Sequence, residues 1–299
     1  MGRAPGGPAE RSAALGLLSA EELAALSRTR LSLRRARAWA PGGHLSRRAG
    51  ASLEFADHRP YQPGDDLRLI DWAVYARHRK LVTKVFSREV EAPLYLLLDC
   101  SASMGLGGKL LFAKRLAAAL LFLAFRGGDR FGVYPFAAEL LGSGKPRRGR
   151  ASLVRAFQEL LDLSPLGRTD LGQALAQWAE HAGEPGFCLV LSDFLAPGAQ
   201  EGLRALRHGR HAVAAVQILA AEDLNPPLLG EVRLVDAEEG RARPAVVGPA
   251  ARRAYQENLR RWNQGLARTC EELGVALFLF LAEGSPVAAA LTLARRWRP

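Results

Sequence analysis

Asp99, Ser101 and Ser103 stand at every second position in YLLLDCSASMG, residues 95–105, directly after an apolar run. A carboxylate and two hydroxyls separated by small residues form a hard, oxygen-only group. Farther on, GRTDLGQAL places Thr169 and Asp170 in a loop that opens a helix, and GFCLVLSDF carries a second apolar run into Asp193. Asp99, Ser101, Ser103, Thr169 and Asp193 together make a candidate set for Mg²⁺ or Mn²⁺, which take octahedral oxygen coordination. Other chemistries fit the same residues less well. A serine nucleophile needs a base and an oxyanion hole, yet CSASMG is not G-x-S-x-G and no histidine occupies a comparable strand end. An aspartyl nucleophile would be followed by a second aspartate two residues on, where Ser101 stands. A magnesium-dependent hydrolase stays open. GLGGKLL, residues 105–111, is not a phosphate loop, because Ser103 replaces the first glycine and Leu110 the Ser/Thr. Helix capping by Ser or Asp accounts for one of these residues and not for the set.

These residues need a scaffold that brings separate loops to one rim. From residue 92 onward, strand and helix patterns alternate. PLYLLLD and GFCLVLSD are continuous apolar runs, as strands covered on both faces require. KLLFAKRLAAALLFLAFR and the long amphipathic stretch AARRAYQENLRRWNQGLARTCEELG read as helices, and EVRLVDAEEGRARPAVV as a hairpin. The pattern predicts a doubly wound, mostly parallel α/β sheet with helices on both faces. Ligands of such sheets sit outside the carboxyl ends of the strands, where Asp99 and Asp193 fall.

The expected organisation is a disordered N-terminus over 1–18, a segment over 19–90 with some β structure, and the sheet domain over 91–299 with a hairpin insertion near 231–247. Ser19 and Glu22 form a capping box for a first helix. The stretch 27–50 is rich in arginine and has no acidic residue, within a chain of net charge +11. Such a stretch suits a solvated helix face, an acidic partner, nucleic acid or peripheral contact with an anionic membrane surface. It contains Trp39 and no other aromatic, so a base-stacking surface is not expected and no specific nucleic acid is assigned. Its charge favours solvent, and residues 1–44 are therefore expected to be dispensable to the sheet domain. The apolar run Leu116–Phe125 has ten residues, against the roughly 20 that span a membrane. No secretory signal opens the chain, and Cys100, Cys188 and Cys270 form no CxxC pair. These features predict a cytoplasmic protein with reduced thiols and no transmembrane span.

Residues 53–86, LEFADHRPYQPGDDLRLIDWAVYARHRKLVTKVF, are dense in opposite charges with Tyr61, Trp72 and Tyr75 among them. A structural polar network is one reading and a docking surface for a partner the other, with Arg59, Tyr61, Asp65, Arg68, Asp71, Trp72 and Arg77 as its candidate residues. A catalytic cluster of Asp65, Asp66 and Asp71 is a third.

The five-residue set resembles the metal ion-dependent adhesion site of von Willebrand factor A domains, over about residues 92–220. The resemblance implies that Ser101, Ser103 and Thr169 hold the cation, that Asp99 and Asp193 act largely through water, and that a partner's carboxylate completes the shell. Residues 53–86 are similar to the signature of the bacterial DUF58 family at Glu54, Phe55, Arg59, Tyr61, Gly64, Asp65, Arg68, Asp71, Trp72, Ala76 and Arg77, with Ser52 where a glycine is usual. That likeness runs from about residue 20 to the C-terminus. Many members carry transmembrane helices ahead of this segment. Members tend to accompany MoxR-type AAA+ ATPases and are thought to act as their adaptors or co-chaperones. The resemblance implies a non-enzymatic, magnesium-dependent protein-interaction module whose partner is an AAA+ ATPase or its client. A magnesium-dependent hydrolase and an arginine-rich nucleic-acid or membrane-surface binder are the alternatives.

Overall fold

The apolar runs that precede Asp99 and Asp193 are neighbouring strands of one parallel sheet. The computed structural model describes residues 16–29, 53–88, 92–238 and 240–297, without the side chains of 53–57 and 85–88. The chain forms two compact units, Arg34–Glu91 on the one hand and Met1–Leu33 with Ala92–Pro299 on the other.

The larger unit begins with helix α1 (Ala20–Ser27), whose capping box is formed: Glu22 N donates to Ser19 Oγ, and Ser19 N to Glu22 Oε2. Its main sheet has five strands, β3 (Leu94–Asp99), β4 (Phe131–Phe136), β5 (Phe187–Ser192), β6 (Ala212–Leu219) and β9 (Ala276–Leu281), all parallel in the order β4-β3-β5-β6-β9. Alternate side chains of a strand point to opposite faces. Leu94, Leu96 and Leu98 accordingly enter one apolar layer and Tyr95 and Leu97 the other. The first layer is completed by α1 and by helices α3 (Lys109–Gly127), α4 (Arg150–Asp162) and α9 (Pro286–Arg296). The second is completed by α5 (Leu171–His181), α6 (Ala199–His208) and α8 (Pro249–Leu273). A short helix α7 (Ala221–Leu224) follows β6, and β7 (Gly230–Val235) pairs with β8 (Ala242–Val247) in a two-stranded antiparallel hairpin. The α/β fold expected of the sequence is therefore present, with helices on both faces.

Connections run outward from β3 to β4 and then return to β5 on the other side of β3. This reversal opens a crevice between the ends of β3 and β5, the usual place for a ligand in such sheets.

The smaller unit pairs β1 (Leu53–Pro60) with β2 (Val82–Arg88) antiparallel, and joins them through a 3-10 turn at Leu67–Leu69 and helix α2 (Trp72–His78).

One boundary differs from expectation. Helix α1 belongs with the sheet rather than with the segment that follows it, and residues 16–18 of the expected disordered tail are structured. Leu17, Leu18 and Leu26 are buried in the first apolar layer, Arg115 of α3 donates to the Leu17 carbonyl and to Glu22, and Arg126 donates to the Ser27 carbonyl. Capping and charge mark where this helix starts, but its apolar side has somewhere to go only once α3 and α9 stand together. Residues 1–15, the basic stretch over 30–50, Ser52 and Glu239 lie outside the described residues.

Helix α3 is buried along most of its length, which explains its apolar composition as a core helix. Among the described residues, no helix is long and apolar enough to cross a membrane. The three cysteines are buried and free. Burial pushes the Cys100 thiol up to about 12 and that of Cys270 to about 11, so both stay protonated.

Leu26 is fully buried, so Leu26→Ala should lower the unfolding free energy by about 2–5 kcal/mol, the range for a large-to-small core change. Urea denaturation measures this. A change within about 0.5 kcal/mol, as at an ordinary surface position, would show that α1 adds nothing to the core.

Candidate metal centre

Asp99 is the last residue of β3 and is 1% exposed. Its Oδ1 accepts the backbone N–H of Ser101 at 2.9 Å and the Thr169 hydroxyl at 3.4 Å, while Oδ2 accepts the Ser192 hydroxyl at 2.6 Å. The first contact turns the chain sharply at the strand end, so that Ser101 and Ser103 bring their hydroxyl oxygens to 3.1 Å of each other. Thr169 comes from a separate loop, tied to the first by Ala102 N donating to the Gly167 carbonyl and Leu166 N to the Cys100 carbonyl. Asp170 is turned to a different use, since its carboxylate accepts Gln173 N and caps α5. Four of the five candidate residues are thus linked by hydrogen bonds at one rim.

Asp193 follows β5 and is engaged elsewhere. Its Oδ1 accepts Leu195 N, and its Oδ2 lies 2.8 Å from Nζ of Lys109, which is 1% exposed. The same ammonium lies 3.1 Å from Oδ2 of Asp223. Burial by itself would lower the lysine, but the two carboxylates outweigh it and hold its affinity for the proton above the ordinary value. The loop at Asp193 is fixed on several sides. Phe194 has a left-handed backbone (φ 53°), its N–H donates to Ser192 Oγ, and its carbonyl accepts Trp262 Nε1. Gln217 donates to the Asp193 carbonyl and to Asn263.

Sequence reasoning missed Lys109, Ser192 and Asp223. One signal was available for the lysine. It opens a helix, the end where the helix dipole disfavours a cation, and it precedes an apolar run. A lysine so placed needs anionic partners. Nothing local marked Ser192 or Asp223, because their roles depend on which strand lies beside β3 and on where the chain returns after β6.

Asp99 meets only neutral donors in these contacts. Burial raises its carboxyl to about 6; the Ser192 hydroxyl and the Ser101 N–H pull it down by less, and the charge of Asp193 adds to the rise. A divalent cation beside Ser101, Ser103 and Thr169 would supply the missing positive charge, and all-oxygen surroundings suit Mg²⁺ or Mn²⁺. The donor set fits such an ion. Among the described residues no group of three or more His, Cys, Asp or Glu could hold a metal, so this set leans on hydroxyls. With Asp193 already paired to Lys109, binding should be weak.

The seven candidate docking residues of the smaller unit divide in two. Arg59 pairs with Asp65, which also accepts Gln62 N and the Thr83 hydroxyl. Asp71 caps α2 through Ala73 N and Val74 N, and its other oxygen meets His58 Nε2 at 3.0 Å and Lys84 Nζ at 3.5 Å. The His58 contact and the Val74 N–H hold the Asp71 carboxyl down at about 2. Asp66 is occupied by Arg68 N. Each carboxylate therefore has its own partners, and Asp65, Asp66 and Asp71 do not form a shared catalytic cluster. Tyr61 is half-buried, with its N–H donating to the Leu81 carbonyl. Arg68, Trp72 and Arg77 are exposed, Trp72 by 59%.

Two measurements follow from this geometry. Lys109→Met leaves two carboxylates without their cation and should cost about 3–5 kcal/mol by urea unfolding, as when one member of a buried pair is removed. A loss below about 1 kcal/mol, typical of an exposed pair, would refute the burial of this pair. The second concerns pH. The Asp99 carboxyl takes up a proton at about pH 6 in the folded protein and near 3.8 ordinarily. The native state thus gains stability as pH falls through about 6, and the gain is complete below the unfolded value. In EDTA, wild type should gain about 1 kcal/mol on Asp99→Asn between about pH 7 and pH 5. A difference that does not vary with pH would mean that Asp99 is not held in a charge-poor setting.

The family profile described as Protein of unknown function DUF58 matches residues 57–264. An uncharacterized protein of Mycobacterium tuberculosis and one of Mycobacterium bovis are each 33% identical over 246 residues, covering 79% of this chain and 77% of theirs. Among solved structures, BatB from Bacteroides thetaiotaomicron aligns at 17% identity with a TM-score of 0.44, covering 68% of this chain and 96% of that one. An aerotolerance-related membrane protein from Bacteroides fragilis aligns at 17% identity with a TM-score of 0.45, covering 67% and 96%. By the extent of the profile match and of the mycobacterial likeness, the chain belongs to the DUF58 family.

Proposed function

We propose that this protein is a non-enzymatic, metal-dependent interaction module of the von Willebrand factor A type. Asp99, Ser101, Ser103, Thr169 and Asp193 would hold Mg²⁺ or Mn²⁺, the hydroxyls most closely and the carboxylates largely through water. The bound ion supplies a positive charge and an open position for a carboxylate from a protein partner. The observation that carries this reading is Asp99 itself, a buried carboxylate at the switch point that accepts a backbone N–H and two hydroxyls, from Thr169 and Ser192, and meets no cation in these contacts among the described residues. The likeness of these five positions to an adhesion site adds to it. The partner is proposed to be an AAA+ ATPase of the MoxR type, or its client, with this chain as adaptor in the cytoplasm.

The hydrolase reading has less behind it. Ser192, the hydroxyl nearest Asp99, donates to that carboxylate and accepts Phe194 N. It is thereby spent on holding the loops.

Calorimetry with Mn²⁺ and capture of the MoxR-type ATPase test the proposal together. Mn²⁺ should bind wild type weakly and Asp99→Ala not at all. Thr169→Ala should weaken the complex by about 30-fold to several thousandfold, as for a truncated buried interfacial pair. Complex formation indifferent to EDTA and to Thr169→Ala, but lost steeply with added salt, would overturn it in favour of an electrostatic binder. Metal-dependent turnover of a phosphoester would favour the hydrolase.

A further inference from the structure

Beside the candidate metal centre lies a cavity of about 540 Å³ with a mostly apolar lining. That volume falls in the range of about 300–1,000 Å³ usual for ligand sites. Leu106, three residues beyond Ser103, forms one wall; Pro227 and Leu228, after α7, form another. Leu234 and Val247 of the β7–β8 hairpin and Ala251 of α8 close it. Leu106, Leu228 and Leu234 are each more than a third exposed.

Of the charged and polar side chains of the wall, Asp223, Tyr255 and Arg252 are engaged, and Glu222 lies at the wall beside them. Asp223 holds Lys109 and accepts Ala220 N, Tyr255 donates to the Asp223 carbonyl, and Arg252 donates to Asn225. Apart from Glu222, what remains for a visitor is mostly apolar surface. The hairpin repeats the theme: its register puts Val232, Leu234, Ala245 and Val247 on one face, with Arg243 opposite Leu234. Two links tie the cavity to the metal centre. The loop that carries Ser103 supplies Leu106, and Asp223 shares Lys109 with Asp193.

We infer that this cavity is the second half of a two-point site for one segment of a protein partner. The segment carries an Asp or Glu and, a few residues away, one or two large aliphatic or aromatic side chains. The apolar side chains enter the cavity while the carboxylate meets the metal centre. An acidic partner also complements a chain of net charge +11 and the arginine at the hairpin face. The acidic half rests on the function proposed above; the apolar half does not.

The test uses the full chain and short fluorescein-labelled peptides that pair one Asp with Leu or Phe at varied spacing. Matched peptides carry Ser for the apolar residues or Asn for the Asp. Binding is read by fluorescence polarisation with Mn²⁺ and with EDTA. Leu234→Glu and Leu228→Glu alter two exposed positions, so the fold should survive; circular dichroism checks it. Serine in place of the apolar residues, and each groove variant, should weaken binding about ten- to a hundredfold, the worth of burying one large apolar side chain. Mn²⁺ affinity should not change in either variant. Should the groove variants act while EDTA and Asn have no effect, the cavity stands and the carboxylate grip fails. Three results overturn the inference: metal-dependent binding indifferent to the apolar residues and to both variants; no binding by any Leu- or Phe-containing peptide; or self-association in sedimentation that Leu234→Glu abolishes, which would make a second copy the occupant.

Discussion

A carboxylate taken out of water at the end of a parallel strand must be compensated, and much of this structure is arranged around how Asp99 is. Its oxygens receive a backbone N–H and two hydroxyls, one from the neighbouring strand and one from a distant loop. Those bonds hold the strand ends at the switch point in one geometry. They satisfy the hydrogen-bonding capacity of the group without cancelling its charge, which is why burial still raises its proton affinity. The result is a polar site that is sterically settled and electrostatically incomplete.

At the end of the neighbouring strand β5 the opposite solution is used. Lys109 cancels the charge of Asp193 and reaches Asp223 with the same ammonium. Burying such a trio is not a route to stability, since desolvation offsets most of the attraction. Its effect is positional. Lys109 anchors the first turn of α3 to the loop after β5 and to the short helix after β6. The loop that carries Ser101 and Ser103 is thus held between Asp99 at one end and Lys109 at the other. Three carboxylates and one ammonium would reach neutrality with one divalent cation, and this charge balance links the geometry to the proposed function.

The smaller unit applies similar chemistry to a different end. Asp65 and Asp71 fasten the connecting segment to the strands through Arg59, Thr83, His58 and Lys84. The polar-network reading and the docking reading of this segment therefore apply to different residues. The inward carboxylates hold the unit together, and Trp72, Arg68 and Arg77 are left facing solvent.

The alternation of strand and helix, the buried strands and the candidacy of Asp99, Ser101, Ser103, Thr169 and Asp193 were all legible in the sequence. Burial on both faces writes itself as a continuous apolar run, and a strand-end polar residue stands out against it. The Ser19–Glu22 cap was legible for a similar reason, because it joins residues three apart. Contacts between distant segments were not. That Ser192 reaches Asp99 depends on β5 lying beside β3, and that Lys109 is a buried cation depends on loops after β5 and β6 arriving at the start of α3. The place of α1 in the sheet unit depends on a surface that α3 and α9 make jointly. A cavity framed by the Ser103 loop, the hairpin and α8 likewise exists only after folding. Local composition records whether a side chain will be buried; which partner it meets there is decided by the crossing of the strands.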